Sequence, residues 1–596
     1  MARLAGRAKM SSSLVALAAL SFFGLCGATR VRAQETGEEE KSEEPAKPAE
    51  AAGEEELEPP APADEPSPYE HFEPIYSRWF APGNPAGGLE PLPYEINERA
   101  EWWNPYTQNW LKGDFPILGT EDIFLALTIT DRVIVGMRNV PVGSGPSGPD
   151  DDDADEDFFG DGRQSFLVND LALSLDLFKE PQAFKPVDWR VKATGVFNYS
   201  KVETGEVGVV DVDITTGTER NWRDFALQEF IVEKHLFDIS DRYDFISAEA
   251  GIIPFRSDFR GFVFDDANRG VRLSGNYDEN KWQYNLLFFN MLDKDTNSGL
   301  NEFEDRGQEV YIANVYRQDF PVKGITEQLS FHFSDDHRGF EFDDNGFLVS
   351  PAPIGLAAKN KVRAFYLGWT GEGHLGWLNV THAFYQAWGE DTNNPIAARD
   401  VDIDAQLAAV ELSRDFDWLR VRVFGLYQSG DDDARDGRAG GFDSILDAPN
   451  FAGGELSFFN SQAVKLLGVN LTNAGSPLAD LRSSKTQGHA NFVNPGLQQI
   501  GGAVDVEITP TLKAVVGSSY LRFDNTETLE TFLELPEVER EIGVEVFMGT
   551  QWRPLLTNNM IFSLGASALL PGDAFQRIYQ SDQTLYSVFL ATQLTF

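Results

Sequence analysis

Read backwards from its last residue, the chain alternates. Phe596, Leu594, Thr592, Leu590, Val588 and Tyr586 fall on one side, and Thr595, Gln593, Ala591, Phe589 and Ser587 on the other. A period of two is that of a β-strand, here with one apolar face. The same split recurs upstream. Trp189, Val191, Ala193, Gly195, Phe197 and Tyr199 oppose Arg190, Lys192, Thr194 and Asn198. Leu512, Ala514, Val516 and Tyr520 oppose Lys513, Val515, Gly517 and Ser519, and Met560, Phe562, Leu564, Ala566, Ala568 and Leu570 oppose Ser563, Gly565 and Ser567.

This pattern predicts strands starting near residues 122, 165, 188, 225, 244, 269, 281, 308, 327, 362, 375, 402, 418, 497, 511, 541, 559 and 585. The connections alternate long and short. Short turns are expected at Lys179-Glu180-Pro181, Asp238–Asp241, Asp278-Glu279-Asn280, Gly371-Glu372-Gly373, Asp415-Phe416-Asp417, Thr509-Pro510-Thr511 and Thr557-Asn558, each after an even-numbered strand. Sustained alternation of this kind, with about 18 strands, is the pattern of an all-β transmembrane antiparallel β-barrel with short periplasmic turns, long outer loops and periplasmic N- and C-termini. Charge on a lipid-facing position costs about 2–4 kcal/mol at the midplane, so the polar set must face a wet interior. A barrel of this size is wider than side chains alone can fill, and its interior is an aqueous channel unless loops plug it.

The N-terminus carries no strand pattern. Arg3, Arg7 and Lys9 precede the apolar run Leu14–Leu25, and Val31-Arg32-Ala33 is a cleavage site before Gln34, so residues 1–33 read as a secretory signal peptide. Cys26, the only cysteine, lies inside it, and the mature chain has neither disulfides nor thiolate metal sites. Residues 34–68 are an acidic Glu/Pro/Ala linker with the composition of disorder. Residues 69–120 gather Tyr69, Phe72, Tyr76, Trp79, Phe80, Trp102, Trp103, Tyr106 and Trp110, an aromatic density that calls for burial at the periplasmic mouth or in the lumen. Residues 121–596 are the barrel. The net charge of −45 excludes nucleic acid as a partner, since phosphate contacts need an excess of Lys and Arg.

On the inward face the bases are Arg190, Lys192, Arg272, Arg420, Arg422 and Lys513, and the acids Glu229, Glu233, Glu249, Asp404, Asp505, Glu507 and Glu545. The signs are mixed. Opposed acidic and basic groups set a field across a pore, or pair between neighbouring strands. The third outer loop, Phe255–Arg269, combines Arg256 and Arg260 with Asp and Phe, materials suited to a constriction, and the longest loop, about 428–495, is rich in Gly and Phe and suited to packing on itself or in the mouth.

The fourth outer loop, Asp293–Glu304, spaces oxygen donors as a calcium loop does, with Asp293, Asp295, Asn297 and Glu304 as candidate ligands and Ser298 where such a loop has glycine. The expected flanks are strands, so this is at most a loop resembling an EF-hand. The seven histidines, His71, His235, His332, His337, His374, His382 and His489, are scattered, and no metalloprotease helix, nucleotide loop or nucleophile elbow occurs. The expectation is not an enzyme, and no cofactor other than calcium.

The signal peptide, the loop alternation and the terminal Phe596 resemble large single-chain bacterial outer-membrane porins, in the general style of phosphate-selective and alginate-export channels. The stretch Asn104–Asp114 looks like a family-specific motif. The resemblance implies a cell outer membrane location in a Gram-negative type bacterium, contact with outer-membrane lipid and lipopolysaccharide, and a channel for passive diffusion of small hydrophilic solutes. A homotrimer is an assembly it allows, although the outward faces single out no interface wall. The alternative is a plugged barrel serving as a binding or structural surface protein.

Overall fold

The two ends of the barrel meet. In the computed structural model, β1 (Ile123–Asn139) pairs antiparallel both with β2 (Arg163–Lys179) and with the last strand, β18 (Leu585–Thr595), in a register running from Thr130↔Thr595 to Arg138↔Ser587. Between them, in chain order, come β3 (Trp189–Thr204), β4 (Glu219–Asp238), β5 (Phe245–Arg256), β6 (Asp265–Tyr277), β7 (Trp282–Lys294), β8 (Asn301–Arg317), β9 (Ile325–Asp336), β10 (Lys361–Leu375) and β11 (Leu378–Asn394). The circuit is completed by β12 (Arg399–Phe416), β13 (Leu419–Gln428), β14 (Leu497–Thr509), β15 (Leu512–Arg522), β16 (Glu541–Trp552) and β17 (Met560–Pro571). Each pairs with its neighbours, giving a closed antiparallel barrel of 18 strands. Closure removes every sheet edge and satisfies the backbone internally, the condition for strands in lipid.

The structure describes residues 109–141, 161–179, 186–459, 481–482 and 488–596, less 118, 243, 352–355 and 357. The expected signal peptide, the acidic linker, residues 69–108 of the aromatic segment and the acidic run Asp150–Asp157 lie outside the described residues.

All 18 expected strands are present. The largest offsets are at β4 and β8, which begin at Glu219 and Asn301 rather than near 225 and 308. Both extend beyond the apolar band at the long-loop rim, where alternation no longer reports lipid. Two turns fall later than expected. Gly371-Glu372-Gly373 is strand, and the turn is at Gly376-Trp377; the turn expected at Asp415-Phe416-Asp417 is at Asp417-Trp418. Gly376 and Asp417 take the positive φ values, 63° and 59°. Gly371 serves close packing: a Cβ there would lie 2.5 Å from His382 Nε2. Glycine in a strand can mark such an approach as well as a turn.

The outward face is apolar between two aromatic belts. Phe237, Trp282, Phe320, Trp377, Trp418 and Trp552 are exposed at the short-turn rim, and Trp388, Tyr427, Tyr520 and Tyr586 toward the long-loop rim. Exposed Leu171, Leu173, Leu175, Val423, Val516, Met548 and Leu564 lie between. Arg317 stacks on Trp282 and Arg414 on Trp377, at 4.7 Å each. Such girdles mark both edges of a hydrocarbon layer in transmembrane barrels.

The lower end of β1 runs past the end of β18, and a short strand, Lys112–Pro116, pairs with this overhang (Lys112↔Ala126, Pro116↔Phe124). Phe596 is held there by backbone bonds in both directions with Ile129, at 2.8 and 3.3 Å.

Candidate functional site: the inner face and its loops

The interior is divided between an apolar plug and a charged belt. The inner faces of β10–β12 are small or apolar: Val362, Ala364, Tyr366, Ala383, Tyr385, Ala387, Val401, Ile403, Ala405, Leu407 and Ala409 are buried. Two inward-folded loops cover them. One joins β5 to β6 and contributes Phe262, Val263 and Phe264; the other joins β13 to β14 and contributes Phe442, Ile445, Leu446, Phe451, Phe492 and Val493. Their apolar side chains seal against the wall and leave the remaining circumference polar.

The β5–β6 loop is organised by one carboxylate. Asp258 accepts from the backbone N–H groups of Arg260 (2.8 Å), Gly261 (2.6 Å) and Phe262 (3.0 Å), and from the Tyr385 hydroxyl on β11 (2.8 Å). The loop is further anchored through the Ser257 carbonyl, which accepts from Asn314 on β8 (3.1 Å) and Gln328 on β9 (2.5 Å). Arg256 pairs with Asp265 at its neck at 2.6 Å. The loop thus reaches from β5 across to β11 and β12, where Arg260 donates to Thr381 Oγ1 on β11 at 2.8 Å and to Glu411 on β12 at 3.3 Å.

Around the rest of the inner face, near the short-turn rim, run ion pairs between neighbouring strands. Arg190 bridges Asp176 (3.1 Å) and Glu233 (3.5 Å), Lys192 meets Glu229 (2.6 Å), and Arg272 meets Glu249 (3.3 Å). On the opposite wall Arg422 bridges Glu411 (3.5 Å) and Asp505 (3.1 Å), Lys513 faces Asp505 (3.6 Å), and Glu507 is its register partner. Arg420 turns to Asp415 at 2.5 Å. In most of these pairs the base is the more exposed member: the Arg190 side chain is 37% exposed against 13% for Glu233, Arg272 26% against 12% for Glu249, and Lys513 37% against 11% for Asp505, while Arg420 is the exception at 41% against 49% for Asp415. The acids stand behind, and the ammonium and guanidinium groups meet the water.

Two expected inward acids are placed differently. Asp404 is on the outward face of β12, exposed and beside Arg438 (3.5 Å). The upper part of that strand, with Asp400 and Asp402, stands above the apolar band, so polarity there no longer identifies the lumen side. Glu545 is inward but sealed beneath the β13–β14 loop, accepting from Ser457 Oγ and Phe459 N–H at 2.9 Å each. The partners Asp176, Thr381 and Glu411 carry no motif of their own in the sequence; alternation along β2, β11 and β12 is the signal that points to them.

The calcium-like loop is not assembled as its spacing suggests. β7 continues through Lys294 and β8 begins at Asn301, leaving a tight tip at 295–300. Asp293 is paired with Arg338, Asn297 exchanges amide hydrogen bonds with Asn345, and Glu304 is exposed. The described carboxylates that do converge with Asp295 are Glu302 and Asp344.

One constellation had no sequence signature. Ser350 Oγ lies 3.1 Å from His489 Nε2, and His489 Nδ1 lies 2.9 Å from Asp336 Oδ2. The order matches a hydrolase triad, yet Ser350 is fully buried. A nucleophile must reach substrate; here the three residues pin the β9–β10 and β13–β14 loops to the end of β9.

No family model and no curated protein matches the sequence. Among solved structures the fold is similar to OccAB1 of Acinetobacter baumannii, at 10% identity over 79% of this chain and 96% of that one, with a TM-score of 0.44. It is likewise similar to a BenF-like porin from Pseudomonas fluorescens Pf-5 (10% identity, 79% and 98% covered, TM-score 0.42) and to OccK5 (OpdH) of Pseudomonas aeruginosa (9%, 79% and 98%, TM-score 0.40).

Proposed function

We propose that the chain is a porin of the bacterial outer membrane, passing small hydrophilic solutes by passive diffusion, with the charged belt and Arg260 as its selective zone. One observation carries this reading. A closed barrel that is apolar outside, between aromatic girdles, presents inside a belt of ion pairs whose bases face water. In this reading the short-turn rim is periplasmic, the long loops face outward, and outer-membrane lipid and lipopolysaccharide surround the apolar band. Arg190, Lys192, Arg256, Arg260, Arg272, Arg420, Arg422 and Lys513 line the path, with Glu229, Glu233, Glu249, Asp505 and Glu507 holding them. Water-facing bases backed by buried acids favour solutes that carry a carboxylate or similar anion, since the local potential is positive although the belt is nearly neutral. Resemblance to phosphate-selective or alginate-export channels in particular has no support among the matched structures named above.

Liposome swelling tests this. Proteoliposomes should swell in isosmotic arabinose, and faster in glutamate than in lysine. Failure to swell in any of them sinks the reading.

The apolar plug favours a second reading, a closed barrel acting as a surface or binding protein. It predicts no swelling while the barrel remains folded. Should the barrel form a homotrimer, its most distinctive wall is the row Phe288, Tyr311, Phe333, Phe365 and Trp388, register partners on β7–β11 whose successive rings lie 4.9, 5.9, 4.5 and 5.8 Å apart.

A further inference from the structure

The plug on β10–β12 has a counterpart on the opposite wall. The β7–β8 hairpin leans inward at its outer end, over β6: Leu292 N–H donates to Asn268 Oδ1 at 2.7 Å, and Lys294 pairs with Asp266 at 2.7 Å. Its tip, residues 295–300, then lies along the inner face of β3 and β4, and its contacts fall on successive register pairs. Leu300 packs on Val196↔Ala226, with Ala172 of β2 completing the socket. Ser298 Oγ donates to Asp224, the partner of Asn198, at 3.2 Å. Trp222, the partner of Ser200, donates from Nε1 to the two oxygens of Asp295 at 3.0 and 3.2 Å.

The tip is also held from its other side. Asn345 and Asn297 exchange amide hydrogen bonds at 3.0 and 3.3 Å, Asp344 N–H donates to Thr296 Oγ1 at 3.1 Å, and Thr296 N–H donates to Asp344 Oδ2 at 3.2 Å. The 343–347 turn and the hairpin tip therefore form one body.

The two inward bodies rest on different kinds of wall. The plug covers small and apolar side chains, as a fixed filling should. The hairpin tip covers polar ones. Asn198 and Ser200 are 0% and 1% exposed, yet Asn198 Oδ1 and Ser200 Oγ have no hydrogen-bond partner in the protein. The same holds for all three guanidinium nitrogens of Arg220, the register partner of Val202 one step further out. Polar groups left this way are costly to cover and are better matched by water. Against that cost the tip offers one apolar side chain, since Leu300 is the only apolar residue in 295–300.

We propose that the tip of the β7–β8 hairpin is a latch: seated, it narrows the water path along β2–β4, and it opens when Leu300 withdraws from Ala172, Val196 and Ala226. Opening returns Asn198, Ser200 and Arg220 to water, which offsets the loss of one apolar contact and of the tip's hydrogen bonds. The device is separate from the plug, and it rests on the porin reading only for its effect on flow.

Cys26 is the only cysteine of the chain, so a Cys26→Ser background has none. In that background Ser200→Cys reports whether water reaches the covered wall. A charged methanethiosulfonate should modify position 200 slowly in the folded barrel, and at least about tenfold faster once Leu300→Ser is added, because the socket then loses a buried leucine. Both proteins should keep the heat-modifiable gel shift of a folded barrel. A second variant leaves Leu300 in place: Asp224→Cys with Ser298→Cys joins two side chains that touch in the seated state, and a short bis-methanethiosulfonate bridges them until reductant cuts it. In planar bilayers the bridge should remove the larger conductance level, and reductant should restore it in the same record. Equal modification rates with and without Leu300→Ser overturn the latch, and so does a conductance that the bridge leaves unchanged. A silent barrel in which Leu300→Ser still unmasks position 200 would sink the porin reading and support the latch.

Discussion

The Nζ of Lys112 lies 4.0 Å from the centroid of the Phe596 ring. Lys112 begins the short strand that covers the β1 overhang, and Phe596 directly follows the last residue of β18. The same ammonium donates to the Leu127 carbonyl at 3.3 Å. The seam of the barrel is therefore fastened by the segment that precedes it. Lys112→Ala should cost about 1 kcal/mol of unfolding free energy, the range of a cation–π contact of this kind. In urea titrations from liposomes, Phe596→Leu should cost at least as much, and the double variant less than the sum. Strict additivity would show that the two side chains do not act together.

Asp258 holds the inward loop in shape through three backbone N–H groups and Tyr385. Asp258→Ala leaves those donors buried and unsatisfied, at about 1–3 kcal/mol each way such a group is orphaned. The loop should leave its seat, and single-channel conductance should rise. Tyr385→Phe should do so more weakly. An unchanged conductance in Asp258→Ala would remove the loop from the conduction path.

Arg260 joins that loop to Glu411 across the lumen. Arg260→Ala removes one base and leaves Glu411 to Arg422 alone, so the cation-to-anion permeability ratio should rise by about twofold or more. The reversal potential in a salt gradient reads this directly. A shift toward anions would contradict the assignment of Arg260 to the selective zone.

Acid should tighten the β13–β14 loop. Burial pushes the Glu455 carboxyl up to about 8, against the pull of Arg132, and Asp431 up to about 7, against a hydrogen bond from Gly440 N–H. Both are raised above their ordinary values, so the packed loop binds more protons than the released loop. Their contribution is full below about pH 4 and is lost as pH rises through about 7 to 8. Channel recordings should be quiet at pH 5 and flicker increasingly up to pH 9, and Glu455→Gln with Asp431→Asn should flatten that dependence. Flicker that grows toward acid would have the wrong sign.

His489 pins two loops to Asp336 and Ser350. His489→Ala should raise protease cleavage of the β13–β14 loop, while hydrolysis of a chromogenic ester by wild type and variant stays at background. Ester turnover lost in the variant would give the buried triad a chemical role.

The strands were legible because lipid imposes a two-residue period wherever it touches the wall, as at Leu171, Leu173 and Leu175. Legibility stopped where lipid does. Asp404 faces outward because β12 rises above the apolar band there, and the calcium-like spacing at Asp293–Glu304 runs into the ends of two strands. Alternation puts Arg190, Lys192 and Lys513 on the polar face of their strands, but it does not give their pairing, since partners such as Asp176 and Glu411 depend on register between strands. The plug was foreshadowed only by Gly and Phe in the loops; the apolar inner wall of β10–β12 that receives it is indistinguishable in sequence from a lipid-facing one.

The central claim is an open, water-filled path past the plug. Planar bilayer recording of the mature protein tests it most directly. Discrete, ohmic conductance steps, with a reversal potential of anionic sign that shifts toward cations in Arg260→Ala, are the predicted result. Electrical silence from a barrel shown to be folded and inserted would contradict it.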